Sequence, residues 1–171
     1  KENMEDDVTK TLDYLRKLCS AREYCVRDIR DKAEKRLGNA AEADKAVRTL
    51  QQEGYLSEQR YANAFARDKA AISGWGAYKI RYQLSAKGIP ADIIEQALKE
   101  IDGEKAEEKL RRSIASKCAL LKGDPQIKIK LLKFALSRGY SYEEVNKVVS
   151  EILHGKNENL PQIDSRRDLC P

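Results

Sequence analysis

Histidine, tryptophan and methionine each occur once in these 171 residues, and aromatic side chains make up only 6% of the chain. The single histidine, His154, has no serine or cysteine partner in any recognisable pattern, and no HExxH, GxSxG or GxxxxGK[ST] motif is present. Cys19, Cys25, Cys118 and Cys170 lack CxxC spacing, which argues against zinc and for reduced thiols in a cytoplasmic protein. Adjacent acidic pairs such as Asp6-Asp7, Glu107-Glu108 and Glu143-Glu144 point to different helix azimuths, as solvated faces do, rather than cooperating as acid and base. No apolar run reaches 18 residues, so no membrane-spanning helix is expected. The chain opens on Lys1 rather than methionine, as a processed or trimmed chain does, and a removed targeting peptide is compatible with that. The sequence therefore carries no expected catalytic group, metal site or cofactor.

Prolines number four and glycines nine, while 36% of residues are charged, and long stretches lack both helix breakers. That composition favours an all-α fold. Val8, Leu12, Leu15 and Leu18 or Cys19 form an amphipathic stripe over 7–19, and Ser20 with Glu23 has the form of a capping box that starts a second helix. That helix carries Ile29, Ala33 and Leu37 inward and stops at Gly38-Asn39. Further helices are expected over 41–53, from Ser57 to about Ile72 with Tyr61, Phe65 and Ile72 on one face, and over 77–87 with Ala77, Ile80 and Leu84 inward. The remaining helices fall over 90–101, 104–121, from Asp124-Pro125 onward, and 141–153, the last opened by Ser141 and Glu144.

One phrase is written three times: "LQQEGYLSEQRYANAF" at 50–65, "LSAKGIPADIIEQAL" at 84–98 and "ALSRGYSYEEVNKVV" at 135–149. Each has a glycine where a helix ends, an apolar plug for the turn and a fresh helix start. The phrase is expected to join the last two helices of a three-helix unit. Its glycines, Gly54, Gly88 and Gly139, are 34 and then 51 residues apart, which excludes a regular tetratricopeptide array. The organisation that results is three tandem three-helix, helix-turn-helix-like repeats in an elongated, curved array: 1–54, 55–103 and 104–154, followed by a disordered tail over 155–171.

The net charge is +5, and it is unevenly placed. Residues 55–88 carry six basic and two acidic side chains and 105–138 carry ten and three, separated by an acidic stretch. On the 77–87 helix, Tyr78, Lys79 and Tyr82 face away from Ile80 and Leu84, a face suited either to phosphate and base stacking or to packing on a neighbouring unit. Arg60, Asn63 and Arg67 share the outward face of the preceding helix, and Gln126, Lys130, Lys133 and Ser137 form a polar stripe on an otherwise apolar helix. Base reading by a helix-turn-helix is disfavoured, because Asp92, Glu95, Glu143 and Glu144 occupy positions where phosphates would be met.

The segments "LCSAREYCVRDI" (18–29), "GYLSEQRYANAFARDK" (54–69) and "GWGAYKIRYQLSAKGI" (74–89) resemble the RecX regulatory proteins, bacterial modulators of the RecA recombinase. The chain departs from many relatives at Ser57-Glu58, where an acidic pair is usual, and at Tyr61, where Phe is usual. The resemblance implies three tandem three-helix repeats, no enzymatic activity, and binding in the groove of the RecA–DNA filament with suppression of its ATP hydrolysis and strand exchange. Some members of the family also bind DNA, so a direct DNA contact is a further expectation; a monomer with no membrane partner is expected. Arg60, Arg67, Tyr78, Lys79, Tyr82, Lys130 and Lys133 are the expected contact residues.

Overall fold

The computed structural model describes residues 2–155, and these form nine α-helices and no strand. The first three are α1 (Glu2–Ala21), α2 (Val26–Leu37) and α3 (Ala40–Gln52). They enclose a core of Leu15, Ile29, Ala33, Ala43, Val47 and Leu50. Next come α4 (Glu58–Ala71), α5 (Ala77–Ala86) and α6 (Ala91–Lys99), around Ala62, Ala66, Ala70, Ile80, Leu84 and Ile94. The last triplet, α7 (Gly103–Leu120), α8 (Ile127–Leu136) and α9 (Tyr142–Gly155), packs on Leu110, Ile114, Cys118, Leu131, Val145 and Val149. Gly155 closes α9; the rest of the expected tail, with Cys170, lies outside the described residues.

Side-chain caps open four of the nine described helices, α3, α4, α7 and α9. Asn39 accepts from the Ala41 and Glu42 N–H groups, Ser57 from Arg60 N–H, and Asp102 from Lys105 N–H, each side chain satisfying donors that the first helical turn leaves open. At α9 the capping box closes in both directions: Glu144 N–H donates to Ser141 Oγ, and Ser141 N–H donates to the Glu144 carboxylate at 2.8 Å. The Ser20 capping box, by contrast, does not form. Helix α1 runs through it to Ala21, Ser20 Oγ donates to the Arg16 carbonyl, and Glu23 turns instead to Arg60.

Two burial expectations are also corrected. Ile72 is 73% exposed, and Tyr61 and Phe65 are only half-buried; the inward stripe of α4 is Ala62, Ala66 and Ala70. Small side chains let α4 approach α6 closely, so the larger apolar groups are displaced to its flank. Ala77 is exposed as well, leaving Ile80 and Leu84 as the buried pair of α5.

The repeat is more regular than its glycine phrase suggests. Gly54 joins α3 to α4, that is, one triplet to the next, whereas Gly88 and Gly139 join the second and third helices within a triplet. The matching joint of the first triplet is Gly38, between α2 and α3. Gly38 to Gly88 is 50 residues and Gly88 to Gly139 is 51, and all three have positive φ, at 63°, 82° and 89°. Nothing lies within 4 Å of a Cβ placed on Gly88. Gly88→Ala is therefore expected to lose only the cost of a left-handed residue, about 1–2 kcal/mol, in urea unfolding; an unchanged midpoint would show that the turn adapts without glycine.

Each triplet is stitched to its neighbour. Cys25, fully buried, belongs to the core of the second triplet, while Leu56 reaches back into the first. Val26 N–H donates to Glu58 at 3.1 Å, and Lys87 pairs with Asp28 at 2.9 Å. Between the second and third triplets two backbone bonds and one side chain make the joint: Gly76 N–H donates to the Arg138 carbonyl at 2.7 Å, Tyr78 N–H to the Gly139 carbonyl at 3.0 Å, and the Arg138 guanidinium to the Ser73 carbonyl at 3.1 Å.

Candidate nucleic-acid and protein interface

Helix α5 displays the face expected of it. With Ile80 and Leu84 buried, Tyr78 and Tyr82 are 61% and 70% exposed, so neither packs on a neighbouring triplet. Lys79 leans over the indole of Trp75, its Nζ 4.6 Å from the ring centroid, and Lys69 of α4 lies 4.7 Å from the same ring. Trp75 meets Phe65 edge-on at 6.2 Å, and Phe65 meets Tyr61 at 6.0 Å. The result is a row of aromatic rings carrying ammonium groups, in which each cation is held near a π-face and still has donors for an anion. The sequence pattern does not single out Lys69 and Trp75 as partners, because their meeting depends on how the 72–76 connection folds back, with Trp75 N–H bonded to the Lys69 carbonyl at 2.9 Å.

The other expected residues divide into two groups. Arg67 is exposed, and among the described residues its one ion pair is with its neighbour Asp68 at 3.8 Å. Arg60, however, is a seam residue: its guanidinium donates to Glu23 at 2.9 Å and to the Gly54 carbonyl at 2.8 Å, tying α4 to the first triplet. Asn63 accepts from Gln59. Arg81, between the two tyrosines, is held by Glu95 through two hydrogen bonds, at 2.6 and 3.2 Å, and the carboxylate raises its pKa. At the same seam as Arg60, Asp28 would be pushed up by burial alone, but hydrogen bonds from Lys87 and Cys25 hold it below the usual carboxylate range.

The third triplet offers equivalent positions. Counting back from the joint glycine, Ile80 and Leu84 before Gly88 correspond to Leu131 and Ala135 before Gly139, and all four are buried. In that register Tyr78, Lys79 and Tyr82 correspond to Ile129, Lys130 and Lys133. Ile129 and Lys133 are exposed, and Lys133 makes no ion pair among the described residues; Lys130 pairs with Asp124 at the start of α8. The polar stripe expected on α8 is thus mixed with exposed Ile129 and Leu136. Tyr78, Lys79 and Tyr82 on α5 and Ile129, Lys130 and Lys133 on α8 thus stand at equivalent positions of the second helix of successive triplets, while Arg60 and Arg67 lie on α4.

Among the described residues, no helix is long and apolar enough to cross a membrane. Residues 57–98 match the family model of the second three-helix domain of RecX. A regulatory protein RecX from Clostridium botulinum is 34% identical over 132 residues, covering 75% of this chain and 61% of its own length. Another, from Prosthecochloris aestuarii, is 29% identical over 150 residues, covering 87% of this chain and 97% of that protein. The crystal structure of RecX from Lactobacillus salivarius superposes with a TM-score of 0.77 at 20% identity, over 88% of this chain and 99% of that one, and so shares the helical repeat fold. The chain spans about three-fifths of the length of the clostridial relatives it matches. On these grounds, together with the ordered motifs at 18–29, 54–69 and 74–89, the chain belongs to the RecX family.

Proposed function

We propose that this protein is a non-enzymatic regulator of homologous recombination and DNA repair, which binds the RecA–DNA filament in the cytoplasm and lowers its ATP hydrolysis and strand exchange. The observation that carries the reading is the repeated outer face: Tyr78, Lys79 and Tyr82 on α5 and Ile129, Lys130 and Lys133 on α8, at equivalent positions of successive triplets. A repeated cationic face suits a repeated anionic partner, and aromatic groups beside the cations suit a surface that offers bases or apolar side chains as well as phosphates.

The rival reading, an autonomous helix-turn-helix protein that reads bases, fits the α8–α9 turn less well. Glu144 is committed to the capping box and Glu143 is exposed beside it, so the N-terminus of α9 presents carboxylates where phosphates would lie. The expected result is that the purified chain, as a monomer, slows ATP hydrolysis by RecA-coated single-stranded DNA at concentrations where it binds bare DNA weakly. Binding to the filament should weaken as salt rises, because cations facing phosphates release counterions. Tight, sequence-dependent binding to duplex DNA with no effect on the filament's ATPase would decide for the rival.

A further inference from the structure

Cations from four elements meet around the 72–76 connection, where the second triplet joins the third. The Lys69 and Lys79 ammonium groups lie 4.7 and 4.6 Å from the centre of the Trp75 ring. The Lys117 ammonium and the Arg138 guanidinium lie 5.7 and 4.8 Å from that of Phe134. Arg138 also donates to the Ser73 carbonyl at 3.1 Å, which brings this second group beside the connection. Lys109 adds to them from α7: its Cγ and Cε lie 3.4 Å from where a Cβ would stand on Gly74, a buried glycine at φ 67°. Lys109, Ser113 and Lys117 recur at every fourth residue, so they share one face of α7.

Lys69, Lys79, Lys109, Lys117 and Arg138 are all half-buried, yet none has a carboxylate partner among the described residues. The acidic side chains of the same helices are engaged elsewhere: Asp68 with Arg67, Glu107 with Arg111 and Lys147, and Glu108 with Arg112. A cation drawn partly out of water without a counter-charge is held at a cost, and the low-dielectric wall beside it strengthens its pull on an anion. Trp75 and Phe134 each carry two cations already, so these rings support charge and leave base stacking to the exposed Tyr78 and Tyr82. A nucleic-acid strand supplies one charge about every 3.4 Å of axis, and its phosphate oxygens accept from lysine and arginine alike. We propose that this joint is a cradle for the phosphodiester backbone of a nucleic-acid strand, gripped by Lys69, Lys79, Lys109, Lys117 and Arg138 across the second and third triplets. It rests on the reading as a filament regulator and names what this part of the chain holds: the strand, not the recombinase.

Charge removal tests it. Lys69, Lys109 and Lys117 are replaced together by glutamine, and in a second variant together by arginine; Arg138 is left in place because it also bonds the Ser73 carbonyl. Each protein is titrated by fluorescence anisotropy against labelled oligothymidylate and against RecA without DNA, at several salt concentrations. The glutamine variant should bind oligothymidylate at least about tenfold more weakly at low salt. The slope of log affinity against log salt should fall by about two, the share of three phosphate contacts on a single strand. Its melting temperature should stay close to the parent's, since no ion pair is lost. The arginine variant should bind within about twofold of the parent, and if the glutamine triple melts early, Lys109→Gln and Lys117→Gln alone should each lower the slope by about 0.7. Trp75, the one tryptophan of the chain, should change its emission as the parent takes up oligothymidylate. Parent-like affinity and slope in the glutamine variant overturn the cradle, and a parent that still slows the filament's ATPase then leaves the filament reading standing. Equal loss in the arginine variant would trace the effect to packing, and loss of binding to RecA alone would make the occupant an acidic protein surface; either overturns the proposal. A cradle that holds oligothymidylate in a protein without effect on the filament's ATPase would overturn the filament reading alone.

Discussion

Gly139→Ala is expected to open the junction between the second and third triplets, with a loss of about 3–4 kcal/mol against about 1–2 kcal/mol for Gly88→Ala. Both glycines have positive φ, so the backbone penalty is shared. The difference lies in what a methyl group meets. At Gly88 it meets open space; at Gly139 it would lie 2.3 Å from Lys79 Cβ and 2.5 Å from Lys79 N. Backbone atoms cannot swing aside as a side-chain tip does, so α5 and the α8–α9 turn must separate. Separation breaks the bonds from Gly76 N–H to Arg138 and from Tyr78 N–H to Gly139, each contributing about 1 kcal/mol. Gly76 faces the same constraint from its own side, since its Cβ would sit 2.3 Å from the Gly139 carbonyl oxygen. The third triplet keeps its own core, so it should undock before it unfolds. Native-state hydrogen exchange resolves the two events: the Gly76 and Tyr78 amides should exchange on the order of a hundredfold faster or more, while amides inside α7 and α9 change far less. Unaltered exchange at those two amides would mean that the junction accommodates a methyl group.

The all-helical class and several helix starts are legible in the sequence because they depend on local chemistry: Ser57 and the Ser141/Glu144 box act on donors three residues away. What stays hidden depends on distant residues. Ser20 and Glu23 satisfy the spacing of a capping box, yet the break falls later, where Cys25 is drawn into the core of the second triplet and Glu23 into a pair with Arg60. The preference for Phe65 and Ile72 over alanines as the core of α4 follows hydrophobicity, while the packing follows size: only a face as flat as Ala62, Ala66 and Ala70 admits α6 at close range. The repeat period is obscured for a related reason. Gly54 has the same local phrase as Gly88 but joins two triplets, whereas Gly38, the true counterpart, is followed by Asn39 and lacks the phrase's apolar plug. At the candidate interface, the exposure of Tyr78 and Tyr82 follows from helix periodicity, but the seam role of Arg60 and the meeting of Lys69, Lys79 and Trp75 need the tertiary fold.

That distinction between seam and surface yields the second large effect. Reversing Arg67 and Lys79 together to glutamate should weaken binding to RecA-coated single-stranded DNA at least about tenfold at low salt, and less at high salt, because several cations facing an anionic partner act together and are screened together. Among the described residues Arg67 has one loose ion pair, to Asp68, so its replacement should leave the fold alone. Lys79 gives up its position over Trp75, a loss of about 0.5–1 kcal/mol at a part-exposed ring, too small to unfold a triplet whose core includes Ile80 and Leu84. Helical content should therefore stay constant and the melting temperature fall only slightly. Arg60→Ala should behave in the opposite way. It removes bonds to Glu23 and the Gly54 carbonyl that join the first two triplets, so stability should drop by about 1 kcal/mol while filament affinity, measured below the melting transition, stays within about twofold. The pair of results separates a charge that meets the partner from a charge that holds the protein together. If the double reversal inhibits the filament's ATPase as well as the parent at matched, sub-saturating concentrations, α5 is not the contact face, and the equivalent positions Lys130 and Lys133 on α8 become the ones to reverse.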